Sequence, residues 1–252
     1  VSKATNIHHF LQEAKAQGKK LFALLIDPDS IDNGQLINTV QRAEKARVDL
    51  LLIGGSLLTK DALEGCLDLI KQNCQIPTVL FPGSILQMSE KADALLLLSL
   101  ISGRNPDLLI GNQVVAAPYL KKMDLELLAT GYMLVDSGRA TTASYMSNSQ
   151  PIPHHKAEIA ACTAMAGEML GLKLIYLDGG SGAIKPVSEA MISAVRKAVD
   201  LPIIVGGGIN SPEKIIANCQ AGADLIVVGN AVEKDPSLIQ SLADATRSFQ
   251  QS

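Results

Sequence analysis

The sequence predicts an α/β fold, a single (β/α)8 TIM barrel, from three observations. Eight short apolar runs recur along the chain, longer amphipathic segments follow most of them, and the length of 252 residues suits one such barrel. The runs are LFALLID (21–27), DLLLIGG (49–55), PTVLF (77–81), ALLLLSL (94–100), GYMLVD (131–136), KLIYLD (173–178), PIIVGG (202–207) and DLIVVG (224–229). They are continuously apolar rather than alternating, as parallel strands buried on both faces require.

The connecting segments follow in order. A helix carrying His8 and His9 precedes the first run. After LIDPDS, Asp29 and Ser30 read as a turn and cap before a helix beginning at Asn33 (NGQLINTVQRAEKARV). Only SILQMSEKAD (84–93) separates the third and fourth runs, so an irregular or missing third helix is expected. Residues 102–127 mix Gly and Pro breaks with apolar residues and fall on the strand-end side, where they are expected to cover an apolar cleft. HHKAEIAACTAMAGEMLGL and VSEAMISAVRKAV read as helices, and Ser211-Pro212 and Asp235-Pro236 each read as an N-cap with Pro at the first helical position. No repeat or linker interrupts the series, so residues 1–252 form a single domain in this reading.

Composition narrows the function classes. A net charge of −3 with 19% charged residues gives no field to hold a polyanion, so no nucleic-acid partner is expected and any phosphate must be bound locally. Cys66, Cys74, Cys162 and Cys219 stand singly in helix-like segments and read as reduced, buried thiols. The first residues lack a signal-peptide core, and the longest apolar run, ALLLLSLI, is far short of the roughly 18 residues that span a bilayer. A cytoplasmic protein, with possible contact at a membrane surface, is the expectation.

Glycine clusters end the last three runs: YLDGGSG (176–182), VGGGI (205–209) and VGN (228–230). Bare backbone lets N–H groups approach an anion, and barrels frequently bind phosphate on the loops after strands seven and eight. At the other side of the same rim, Asp27 ends the first run and Ser56 follows the second. A carboxylate and a hydroxyl are hard oxygen donors of the kind that hold Mg²⁺ together with substrate phosphates. Arg139 leaves two readings open, a phosphate contact or an ion pair with Asp136. The pairs His8–His9 and His154–His155 diverge on a helix and read as solvent-exposed.

Taken together, LIDPD, IGGS, IYLDGGSGA, VGGGI and GADLIVVGNAVE resemble the geranylgeranylglyceryl phosphate synthases and their bacterial heptaprenyl relatives. The resemblance runs from Asp27 to Glu233, and LIDPD, IGGS and YLDGGSG in one chain are its most telling parts. It implies a Mg²⁺-dependent prenyltransferase that joins sn-glycerol 1-phosphate to a polyprenyl diphosphate through an ether bond. Asp27 and Ser56 would be the metal ligands. Tyr176, Leu177, Asp178, Gly179, Gly180, Ser181, Gly182, Gly206, Gly207, Gly229 and Asn230 would hold glycerol phosphate, with Asp178 either the base or a residue that only orients the glycerol hydroxyls. Members commonly carry Glu where Asp178 stands. The heptaprenyl relatives carry Lys where this chain has Leu25, so the archaeal-type branch and a geranylgeranyl donor fit better. The tail is expected beside Leu108, Leu109, Val114 and Val115, and a homo-oligomer is the default. The competing readings are a barrel isomerase or synthase acting on a soluble phosphorylated metabolite, and a non-catalytic phosphate-binding barrel.

Overall fold

A computed structural model describes residues 6–249. Eight parallel strands close into a barrel in chain order, β1 (Leu21–Ile26), β2 (Leu50–Ile53), β3 (Thr78–Leu80), β4 (Ala94–Leu100), β5 (Glu126–Leu134), β6 (Leu174–Asp178), β7 (Ile203–Gly206) and β8 (Leu225–Val228), with β8 pairing back onto β1. Helices α1 (Ile7–Ala16), α2 (Asn33–Lys45), α3 (Leu63–Asn73), α4 (Asn112–Leu120), α5 (Thr142–Met146), α6 (Ala157–Met169), α7 (Glu189–Ala198), α8 (Pro212–Ala221), α9 (Asn230–Lys234) and α10 (Leu238–Ser248) lie between and around them.

The strand pleat sorts each apolar run into two layers. Ala23, Leu50, Leu52, Leu96, Leu128, Tyr176, Ile204 and Val227 share one cluster inside the barrel, joined by Ile7, Leu11 and Ala14 of α1. Their immediate neighbours Phe22, Leu51, Leu95, Ile175, Leu177, Val205 and Ile226 pack instead with the helices. Both faces of the strands are thus largely buried, the first residues of β5 apart, which is why the runs are continuous. Glu126 helps to fix α1 by accepting hydrogen bonds from the Ile7 and His8 amides at 2.6 and 2.9 Å.

The third unit contains no helix: residues 81–93 are turns and irregular backbone, as expected. Asp93 secures this short crossing, accepting from the Thr78 amide at 2.7 Å and from Lys71 at 2.6 Å.

Several expectations need correction. β5 begins at Glu126, five residues before the run that marked it, because Gly131 lies within a strand that extends along the whole length of β4. Residues 102–127 are partly helical: a π-helix, Asp107–Gly111, leads into α4, which contains Pro118. The Ser211 cap of α8 is as expected, with Pro212 at the helix start. The cap of α2 is Asp32, in a reciprocal pair with Gln35, and Asp29 does other work. Asp235 closes a turn with Ser237, so α10 starts two residues after Pro236. Cys162 is exposed, whereas burial pushes the Cys66 and Cys219 thiols up to about 12. His154 is half-buried and its Nε2 lies 3.0 Å from the Pro186 carbonyl oxygen, and His8 is also half-buried.

Candidate active site

A cavity of about 960 Å³ opens among the loops at the carboxyl ends of the strands. One end is polar on two sides, and the remainder runs over apolar residues of β4 and the helical segment after it.

The first polar side is built by β1 and β2. Asp27 follows β1 directly and is half-buried, and loss of solvent raises its carboxyl above the ordinary range despite a hydrogen bond from the Asp29 amide. The two glycines of IGGS have separate structural reasons. A methyl carbon on Gly55 would sit 3.1 Å from Asp27 Oδ2, so bare backbone makes room for the carboxylate. One on Gly54 would overlap the Phe81 carbonyl, which the next strand brings against it. Gln87, buried between these loops, donates to the Gly55 carbonyl at 3.0 Å and accepts from the Gly83 amide at 3.2 Å. Asp29 clamps the loop beyond Ser56, accepting from the Thr59 amide and hydroxyl and from the Lys60 amide.

Glu233 brings a second carboxylate to this side. Ser30 Oγ bridges the Asp27 carbonyl at 3.2 Å and Glu233 Oε1 at 3.4 Å. Desolvation and then the negative charge of Asp27 raise the Glu233 carboxyl. Asp27, Glu233 and Ser56 all line the cavity, an oxygen donor set of the kind that suits a hard cation. Among the described residues no three His, Cys, Asp or Glu side chains converge to form a cation site by themselves.

The second polar side is built by β6, β7 and β8. Gly180, Ser181, Gly182, Gly207, Gly208, Gly229 and Asn230 line the cavity. Gly207 has φ +86°, and a methyl carbon there would lie 2.7 Å from the Gly179 nitrogen, so only glycine allows the two loops to meet. Asn230 Oδ1 accepts from Ser181 Oγ and the Gly182 amide, each at 3.0 Å, tying the loop after β6 to the loop after β8. Arg139 lies against Gly182 and lines the cavity. No hydrogen bond or ion pair to Asp136 is found; Asp136 accepts from the Gly138 amide instead.

Asp178 ends β6 and lines the same cavity. It is buried at 7% exposure, with Oδ2 accepting from Tyr132 Oη at 2.6 Å and Oδ1 from the Gly180 amide at 2.7 Å. Burial raises its carboxyl above the ordinary value, while the two hydrogen bonds oppose that shift. Tyr132 and Tyr176 are register partners on β5 and β6, and their rings meet edge to face at 5.5 Å. Phe81 stacks on Tyr176 at 5.1 Å, so the three rings floor the cavity beside the carboxylate.

The structure therefore brings Asp27, Ser56, Tyr176, Asp178, Gly180, Ser181, Gly182, Gly207, Gly229 and Asn230 to one cavity. Three residues of the sequence reading lie outside its lining. Leu177 points into the layer between barrel and helices, as the pleat dictates for the residue after Tyr176. Gly179 donates its amide to the Gly206 carbonyl at 3.1 Å, and Gly206 packs beneath the Tyr176 hydroxyl. Of the four residues expected beside the apolar cleft, Leu108 lines it. Val114 and Val115 are exposed, and Leu109 lies outside the lining. Leu97, Leu98, Ala116 and Leu120 take their place. Sequence reasoning missed Gln87, Tyr132 and Glu233. Tyr132 had a usable signal, being a polar-tipped aromatic at the same strand depth as Tyr176.

Comparison with known proteins gives concordant results. The PcrB family matches residues 14–246. A geranylgeranylglyceryl phosphate synthase of Spirosoma linguale is 56% identical over 242 residues, 96% of this chain and 97% of that protein. One from Chitinophaga pinensis is 54% identical over 239 residues, 95% of each chain. Among solved structures, the (S)-3-O-geranylgeranylglyceryl phosphate synthase of Thermoplasma acidophilum, in complex with its substrate sn-glycerol-1-phosphate, superposes with a TM-score of 0.92. It is 30% identical and covers 99% of this chain and 100% of its own.

Proposed function

The chain belongs to the PcrB family, and from that premise we propose that it transfers a geranylgeranyl group from its diphosphate to the C3 hydroxyl of sn-glycerol 1-phosphate, forming an ether bond and releasing diphosphate. The observation that carries this reading is one cavity that gathers Asp27 and Ser56, the glycine loops after β6, β7 and β8, and the buried Asp178, with an apolar extension along β4 and α4. An isomerase of a small soluble phosphate would have no use for that extension.

The glycine loops after β6, β7 and β8 suit the phosphate of the acceptor, with Ser181 and Arg139 as side-chain partners. Asp27 and Ser56 would hold Mg²⁺, with Glu233 close by. When bound, the metal would neutralise charge on the departing diphosphate. The acceptor C3 oxygen then bonds to the allylic carbon as that carbon's bond to diphosphate breaks, the electron pair leaving with diphosphate. Asp178 takes the hydroxyl proton in this reading. Tyr132 and the Gly180 amide leave each of its oxygens a free lone pair, and burial strengthens it as a base.

The donor tail would lie over Leu97, Leu98, Leu108, Ala116 and Leu120. No helix among the described residues is long and apolar enough to cross a membrane, so the lipid product must be passed to a lipid phase from the cavity mouth. Self-association is part of the same reading and would show as a multiple of 26.6 kDa in light scattering.

The testing experiment offers labelled sn-glycerol 1-phosphate, Mg²⁺ and prenyl diphosphates of increasing length. The reading expects solvent-extractable label with an optimum at geranylgeranyl diphosphate. Label with none of the donors would refute transfer, and an optimum at heptaprenyl diphosphate would correct the donor.

A further inference from the structure

Five large apolar side chains stand exposed on the loops at the substrate end of the barrel. They are Leu57 after β2 (48% exposed), Leu86 after β3 (86%), Tyr145 and Met146 on α5 after β5 (82% and 51%), and Ile184 after β6 (64%). Leu57, Leu86 and Met146 also line the cavity, so apolar surface is continuous from the tail site to solvent. Tyr145 and Ile184 do not line it, but their near neighbours Ala143 and Ala183 do. Scattered apolar residues need no explanation, whereas a set gathered on four loops around one opening does.

Resting on the prenyl-transfer reading, we propose that this rim inserts into the surface of a lipid bilayer, so that the polyprenyl tail enters and the ether lipid leaves without crossing water. The occupant follows from the continuity: the surface that receives the tail inside the cavity extends outward through the rim, and both the donor and the product carry that tail. Charge decides the mode of binding. Around the inserted side chains, Lys60, Arg139 and Lys185 are opposed by Asp61 and Asp136, a surplus of a single positive charge, and the whole chain carries −3. Attraction to anionic headgroups is therefore minor, and insertion of Leu57, Leu86, Tyr145 and Ile184 supplies the affinity. A few inserted side chains give reversible attachment, as an enzyme that must meet a water-soluble acceptor requires.

The test measures co-sedimentation of the full chain with vesicles of phosphatidylcholine alone and with added phosphatidylglycerol, at low and high salt. Wild type is compared with Tyr145→Glu/Ile184→Glu, which alters exposed positions outside the cavity lining. The expected result is binding to the neutral vesicles that persists in high salt and falls at least about tenfold in the double variant. Turnover on detergent-dispersed donor should stay unchanged. No binding by wild type, equal binding by the variant, or binding confined to anionic vesicles and lost in salt would each overturn the proposal. So would a variant that halves the particle mass without changing vesicle partition, since the rim would then cover a second copy. Partition is read independently of turnover, so absence of product in detergent would count against the transfer reading alone.

Discussion

At the residue scale the proposed mechanism rests on Asp178 as its base. Its burial raises the carboxyl above the ordinary aspartate value, so protonation, and with it loss of the proposed base, occurs at a higher pH than for an exposed aspartate. Activity should therefore fall as pH drops through that raised value, and kcat should show an acid limb above the ordinary aspartate value. Asp178→Asn keeps the shape while removing the base. It should lower kcat by about 10²-fold or more, with binding of sn-glycerol 1-phosphate changed only slightly in calorimetry. Unchanged turnover would leave Asp178 an orienting residue. Asp27→Ala provides the matching test on the other polar side: the response of the rate to Mg²⁺ should disappear while glycerol phosphate still binds. Full activation of that variant by Mg²⁺ would remove Asp27 from the ligand set.

At the element scale, strands β5 and β6 position Tyr132, Tyr176 and Asp178, and loops position the rest of the site. Gln87 holds the loop after β2 by both faces of its amide, and Gly55 rests directly under the Asp27 carboxylate. Gln87→Leu should leave buried backbone groups unpaired and cost about 1–3 kcal/mol in chemical denaturation, with weaker Mg²⁺ activation. Gly207→Ala combines a positive φ with a clash against Gly179. It should raise the KM for glycerol phosphate more than it changes the KM for the donor. These loops also show what the sequence made legible. The eight strands stood out because burial on both faces makes a run continuously apolar. The glycines stood out because close approach leaves no room for a side chain. Gln87 and Glu233 did not, because a buried amide or a paired carboxylate has no local pattern, and its role depends on which loop the barrel brings beside it. The start of β5 was hidden for a related reason: Gly131 looks like a strand boundary in sequence, yet Leu128 and Thr130 before it are fully paired with β4.

The whole molecule is one closed sheet, with β8 returning to β1 and α1 packed into the interior cluster. The same closure brings both polar sides, the Asp178–Tyr132 pair and the apolar extension to one cavity. The most direct measurement of the central claim is the mass of the lipid formed when purified protein is given sn-glycerol 1-phosphate, geranylgeranyl diphosphate and Mg²⁺. The account predicts 3-O-geranylgeranylglyceryl phosphate with one diphosphate released per molecule. Diphosphate release without the ether product, or no consumption of either substrate, would contradict it.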